Sequence, residues 1–581
     1  MSYFKKLEKE ISNIVKKSGY DTDITLSLSN RRDLGEFQIN DAMRLAKIYH
    51  KSPIEIANNI KENLEKSEYF TNINIAGAGF INISLSDKAL IEFINDIKDN
   101  IDNNIDKEEE KTIFLDYGGA NVAKALHVGH LRSANIGEAL KRLCEALGNK
   151  TISDVHLGDS GLQTGLVVLE MKYRYPELIC FKEDYKGEDF TLPITKDDLK
   201  DIYPSASRKS KEDEEYLNEA RQIEYQIQNN HIGYNKLWEK IAELSIEDIK
   251  ETYDRLNATF DLWEGERASF EYIPEVLKLL EKKKLTYKSE GAIVMDVKED
   301  TDDKEMPPIL LEKSDGAHLY ATTDLATIYS RMKRFKFNEI WYITDIRQEL
   351  HFTQLFRAAY KSKIVGDDIK LGFYGFGTMN GSDGKPFKTR SGGVMPLDDL
   401  IDLIKVECRK RLNENIVEEE KRDNVSEEIA LAALKYADLL PYRATDYIFD
   451  PAKFSDLDGK TGPYLLYSTI RIKSLLKKAK EEKITFNNYT EIKNDSDKEI
   501  ILTLLTLPNV LRRAYDTKSL NEVADYIYKL TSVYNKFYSE NKVITEENKE
   551  LRNSWLTLSK VVYDTNMLLL NIMGINVPEK M

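Results

Sequence analysis

TIFLDYGGANVAKALHVGHLRS, residues 112–133, decides the fold. TIFLD (112–116) is an apolar run of the length of a buried strand, and a glycine-bearing loop follows it. A helix is predicted from about Gly129 to Leu147, because Ile136, Leu140, Leu143 and Leu147 recur at helical spacing. SDVHLGD (153–159) reads as the next strand and its exit. Strand, loop, helix and strand in that order open a parallel α/β sheet. Ligands of such sheets lie beyond the carboxyl ends of the strands, so Asp116, closing the first strand, stands at the mouth of a site.

Upstream, residues 1 to about 85 read as helices and short strands. Phe4, Leu7, Ile11, Ile14 and Val15 share one face of an N-terminal helix. A strand-like run at 73–83 is broken by Gly77 and Gly79, and the polar stretch 98–111 reads as a linker or an exposed helix end. Downstream, 176–251 is charged and helical, which marks an insertion. Strand signals return at 292–297, 309–311 and 340–343, with a hairpin turn expected at Ser314-Asp315-Gly316. From about 397 the pattern is almost all helical, as in IALAALKYADLL, and a bundle is predicted. The expected units are 1–100, 110–395 and 396–581.

With 581 residues, two to four domains are the prior. A chain 41% hydrophobic and 31% charged is neither disordered nor membranous, and no apolar run reaches the roughly 18 residues of a membrane span. The charged N-terminus is no signal peptide, so a cytoplasmic location is expected. Cys144, Cys180 and Cys408 are too scattered for zinc or a disulfide framework and read as buried thiols. A net charge of −15 argues against non-specific coating of nucleic acid. Local basic patches such as RIKSLLKKAK (471–480) keep RNA contact open.

The sharpest chemical signal is H-V-G-H, His127 to His130, at a strand-to-helix loop. A helix N-terminus offers unpaired N–H groups and partial positive charge to a phosphate. The two histidines add donors, and Gly129 allows close backbone approach. The competing reading is that the histidines merely cap the turn. Two phosphate-loop look-alikes fail: Gly384-Lys385 is followed by Pro386, and Gly459-Lys460-Thr461 has Phe454 where the first glycine belongs.

This stretch resembles the HIGH motif of class I aminoacyl-tRNA synthetases, and its flanks resemble those of arginyl-tRNA synthetases. The resemblance covers nearly the whole chain. GEFQINDAMRLAK (35–47) and IAGAGFINI (75–83) are similar to that family's extra N-terminal domain. YATTDLA (320–326), the D-x-R-Q-x-x-H-F run (345–352) and GTMNGSDGKPFKTRSGG (377–393) resemble its catalytic core. LKYADL, TGPYLLYSTIRI and the terminal VPEKM resemble its anticodon-binding domain. It implies a multidomain protein: a Rossmann-like α/β class I catalytic domain, an α+β N-terminal domain contacting tRNA, and an all-α anticodon-binding bundle.

The implied reaction is ATP-dependent ligation of L-arginine to its tRNA through an arginyl-adenylate. The resemblance places His127, His130, Lys124, Lys385 and Lys388 in catalysis. ATP falls to His127, Gly129, His130, Thr378, Met379 and Lys388. Arginine falls to Asp116, Asn121, Glu266, Tyr320, Asp324 and Gln348. Physical chemistry agrees on the carboxylates, since a guanidinium is planar, cationic and offers five donors. GKPFKTRSG departs from the usual K-M-S-K-S. Many arginyl-tRNA synthetases share this and are thought to use a lysine just before HIGH, the place Lys124 fills. Gly118-Gly119-Ala120 replaces a common Ser-Ser-Pro, and Ser160 replaces a common Trp. Arg471, Lys473, Tyr534 and Tyr538 are candidate tRNA contacts, Phe537 being a further aromatic beside them, with core packing expected for at least one of these aromatics. ATP with Mg²⁺, no zinc, tRNA(Arg), no membrane and a monomer complete the expectation.

Overall fold

The computed structural model describes residues 1–29, 31–314, 318–385, 387, 395–412 and 416–581. The N-terminal part is a four-stranded antiparallel sheet, ordered Ser27–Leu28, Phe37–Ile39, Phe80–Leu85, Phe70–Ala76. The run read as one broken strand is a hairpin, turned where Gly77 and Gly79 take positive φ. The helix Tyr3–Lys17 buries all five residues of its predicted face. The acidic stretch after the helix Asp87–Ile97 is no loose linker: Asn104 is buried and its amide donates to the Leu504 carbonyl.

The central sheet has four parallel strands: β1 (Thr112–Asp116), β2 (Lys150–Asp154), β3 (Glu339–Tyr342) and β4 (Lys370–Phe373). Their order is β4-β3-β1-β2. The chain therefore winds outward in both directions from the β1/β3 boundary, and the crevice at their carboxyl ends is the natural ligand position. All four β3 residues are buried, as a strand covered on both faces requires.

Helix α1 (Val128–Ala146) starts at the quoted motif, one residue before the predicted start. The insertion contributes α2 (Lys196–Glu212) and the helices Glu214–Gln228 and Ile232–Arg255. The strands Ala292–Met295 and Ile309–Glu312 exist, but they pair antiparallel in a separate three-stranded sheet with Thr286–Ser289. The predicted hairpin turn at 314–316 lies partly outside the described residues; Glu312 and His318 on its flanks do pair antiparallel. Helix α3 (Tyr320–Arg334) follows, then β3 and β4.

From Leu397 onward the regular elements among the described residues are helices apart from the short strand Tyr447–Ile448, and α4 (Glu419–Leu439) lies against α1. Among the described residues no helix is long and apolar enough to cross a membrane. All three cysteines are buried and free.

Candidate functional site

The two histidines cap α1, and in doing so they acquire their chemistry. The Gly129 N–H donates to His127 Nδ1 at 3.0 Å, and the His127 N–H donates to His130 Nδ1 at 3.0 Å. Both Nδ1 atoms act as acceptors, so in the neutral rings the proton sits on Nε2. Capping thus occupies both Nδ1 atoms and leaves two Nε2–H donors without a protein partner among the described residues. Gly129 has a sharper reason than backbone access, since a Cβ there would stand 2.8 Å from the His127 ring.

Burial keeps both rings neutral. It lowers His127, helped by nearby Lys124, and it takes His130 down to about 3. The folded value lies below the unfolded one, so the neutral ring's contribution to stability is complete above about pH 6.5 and fades as pH falls toward 3. In ¹⁵N NMR from pH 8 to 5, His130 should stay a neutral Nε2–H imidazole. An imidazolium signal for it at pH 6 would contradict the geometry.

The carboxylates predicted from charge converge at the crevice, each in the same way. Arg331 holds Asp116 Oδ2 at 2.7 Å, the Ser160 hydroxyl donates to Glu266 Oε2, and His351 Nε2 holds Asp324 Oδ2 at 2.6 Å. Among the described residues the second oxygen of each has no protein partner. Glu266 is raised by burial first, and neighbouring Asp324 and Asp159 raise it further. Ser160, the departure from the common Trp, is therefore the hydroxyl that orients Glu266.

Arg331 is a buried counter-ion. Its Nη2 bridges Asp116 and Asp154, and its guanidinium lies 4.5 Å from the Phe114 ring centre. Burial would raise Asp154, but His156 and Arg331 overcome it and hold the group at about 2. Burial would lower His156, but Asp154 and Asp116 outweigh it and raise the ring to about 9. His156 Nδ1 lies 3.7 Å from Asp154 Oδ2, close enough for attraction but too far for a hydrogen bond. The ligand atoms of Asp116, Asp154 and His156 lie within 4.8 Å of one another, and the Arg331 guanidinium already bridges the two carboxylates.

Tyr320, 67% exposed, lines a cavity of about 530 Å³ with Ser160, Gly161, Glu266 and Thr323. Gln348 is exposed just beyond β3. Asn121 pairs with Gly158 in the loop before α1. Lys124 lies 4.3 Å from the ring centre of Tyr203 on α2. The Thr378 N–H donates to the Asp446 carboxylate, and Met379 is buried in a short pairing with Tyr447. Lys385 is exposed in a turn closed by the Gly381 N–H to its own carbonyl. Lys388 and Arg390 lie outside the described residues.

Helix α1 is clamped from below. Buried Arg132 donates to Asp438 on α4 at 2.9 Å and to the carbonyls of Gly377 and Thr445. The histidines and the Gly377–Thr378 segment are thereby referenced to one guanidinium.

In the helical part, Arg471 stacks near Tyr467 and Tyr538, with Tyr467 41% exposed. Tyr534 is fully buried, with its hydroxyl donating to Ser559, so it is core and presents no face to a base. Lys473 is half-buried at the edge of a groove with Lys477 and Lys480.

Three family models match in sequence order. Arginyl tRNA synthetase N terminal domain covers residues 3–85, tRNA synthetases class I (R), catalytic domain covers 94–451, and DALR anticodon binding domain covers 465–581. An arginine–tRNA ligase of Alkaliphilus oremlandii is 43% identical over 99% of both chains. The chain belongs to the arginyl-tRNA synthetase family. Another such ligase, from Agathobacter rectalis, is 41% identical over the same share. The solved arginyl-tRNA synthetase of Plasmodium falciparum superposes with a TM-score of 0.79 at 25% identity, covering 99% of each chain. That of Thermus thermophilus, 20% identical with a TM-score of 0.75, shares the fold.

Within this arginyl-tRNA synthetase fold, sequence reading passed over Arg132, His156, Arg331, His351, Asp438, Tyr203 and Tyr467. Arg132, His156, His351, Asp438 and Tyr467 stood inside motifs already quoted. For Arg331 and Tyr203 the chain carried no local signal, because each acts on a residue more than 70 positions away.

Proposed function

We propose a division of labour for ATP-dependent ligation of L-arginine to tRNA. Glu266 and Asp324 grip the guanidinium through their free oxygens, and Asp116, tempered by Arg331, adds a third. Tyr320, Asn121 and Gln348 surround the rest of the amino acid. The arginine carboxylate attacks the ATP α-phosphorus in line, forming the arginyl-adenylate and expelling pyrophosphate. His127 and His130 donate Nε2–H to the phosphate oxygens that gain charge, and Lys124 supplies a full positive charge. Mg²⁺ enters with the nucleotide. The terminal ribose hydroxyl of tRNA then attacks the arginyl carbonyl and releases AMP. Positioning and electrostatic stabilisation carry both steps, with no covalent enzyme intermediate.

One observation carries this reading: three carboxylates at the sheet mouth, each with one oxygen fixed by a neighbour and the other free. That arrangement suits a forked cation and would reject a neutral analogue by about 10⁴-fold or more, which is why no editing domain is expected. Tyr467, Arg471 and Tyr538 form the proposed stacking surface for tRNA bases.

The test is ATP–pyrophosphate exchange across the amino acids, with and without tRNA. Exchange should require arginine and fail with citrulline, its neutral isostere. Asp324→Asn should lower kcat/KM for arginine about 10²-fold. Exchange with cysteine or glutamate but none with arginine would reject the reading.

A further inference from the structure

Lys124 stands where the family's missing loop lysine must be replaced, yet among the described residues it has no carboxylate partner. Its ammonium faces a ring instead. Tyr203 of α2 lies with its centroid 4.3 Å from Lys124 Nζ, well inside the range of a cation–π contact. The ring is firmly placed. Leu199, Ile202, Ser205 and Ala206 of the same helix are buried, and Lys209 ties it to the buried Glu170 at 2.8 Å.

The insertion grips this loop a second time. Ala123 sits at φ 60°, a conformation costly for a residue with a Cβ. Its N–H donates to Ser245 Oγ, on the insertion helix Ile232–Arg255, at 2.8 Å. Backbone and side chain of the 123–124 turn are thus both held by a segment with no sequence motif of its own. Tyr203 also lies near enough to Tyr320 to raise that phenol together with the neighbouring acids, burial being the main cause.

We propose that Tyr203 is a positioning residue for Lys124, holding its ammonium by cation–π contact so that the ATP phosphates meet a charge already in place. An ammonium has three N–H donors, so the side turned to the ring leaves the others free for phosphate oxygens. Fixing the long side chain beforehand removes an ordering cost from the bound state. The inference rests on the phosphate role given to Lys124 above.

The experiment is arginine-dependent ATP–pyrophosphate exchange on the full chain carrying Tyr203→Leu, Tyr203→Phe, Lys124→Ala and the Lys124→Ala/Tyr203→Leu pair. Tyr203→Leu should lower kcat/KM for ATP by about 3- to 30-fold, with KM for arginine nearly unchanged. Tyr203→Phe, which keeps the ring, should restore it. In the Lys124→Ala background the leucine change should add nothing. Fluorinated phenylalanines at 203 keep the shape and drain the ring, so kcat/KM for ATP should fall stepwise with fluorine count. That series also decides the matter if the leucine variant folds poorly. A loss in Lys124→Ala with no trend along the fluorine series overturns the role of Tyr203 alone. Full exchange by Lys124→Ala overturns the phosphate role of Lys124 itself. A rise in arginine KM only would move Tyr203 to the amino-acid pocket and overturn the proposal.

Discussion

His130→Ala is expected to lower arginine-dependent exchange by about 10²- to 10³-fold, the usual cost of removing one preorganised donor from a developing charge. It should also cost about 1 kcal/mol of stability, because the same ring accepts the His127 N–H. Two further variants separate these effects. Asparagine places an acceptor near Nδ1 but has nothing near Nε2; it should recover the melting temperature and leave the rate low. Glutamine reaches the Nε2 position with an N–H and leaves the His127 N–H unpaired; it should recover part of the rate and little stability. If asparagine restores the rate, His130 is only a cap and the phosphate assignment fails.

Asp438→Ala should be the most destabilising single change at this joint, by about 3–5 kcal/mol. It strands the Arg132 guanidinium, which is 1% exposed, and strips Asn135 of a 2.8 Å bond. Arg132 also donates to the Gly377 and Thr445 carbonyls, so exchange should fall although Asp438 touches no substrate. Denaturant unfolding and exchange on the same samples check both. Arg132→Met combined with Asp438→Leu removes both charges and should recover part of the lost stability, because the penalty lies in the unpaired charge. A double variant no more stable than Asp438→Ala would show that the clamp is held by something other than its ion pair.

Local patterns exposed much of this molecule in advance, and the reason is the range over which each feature acts. β1 and α1 follow from adjacent residues, apolar run and then helical spacing, and they lie within a residue of expectation. The N-terminal helix face was legible for the same reason. The edge strand Lys370–Phe373 was not, being short and carrying Gly372. The antiparallel partnership of Ala292–Met295 was invisible because pairing is not a property of one strand. At the site, charge logic and family resemblance pointed to Glu266 and Asp324 as candidates, but not to what each leans on. Ser160, His351 and Arg331 orient the carboxylates from across the fold. Tyr534 shows the converse: an aromatic on a polar helix looks available until the packing around it is known.

The central sheet has a consequence for how the protein is born. β1 lies in its middle, yet its β3-side neighbour begins 226 residues later, where the Thr112 N–H meets Asn338. Ribosomes add about 5–20 residues per second, so one edge of TIFLD waits on the order of 10–45 s for its partner. During that interval the nascent chain carries a naked apolar strand, the kind of segment chaperones attend. The crevice at the strand ends is completed late in translation, after the whole helical insertion has emerged from the ribosome.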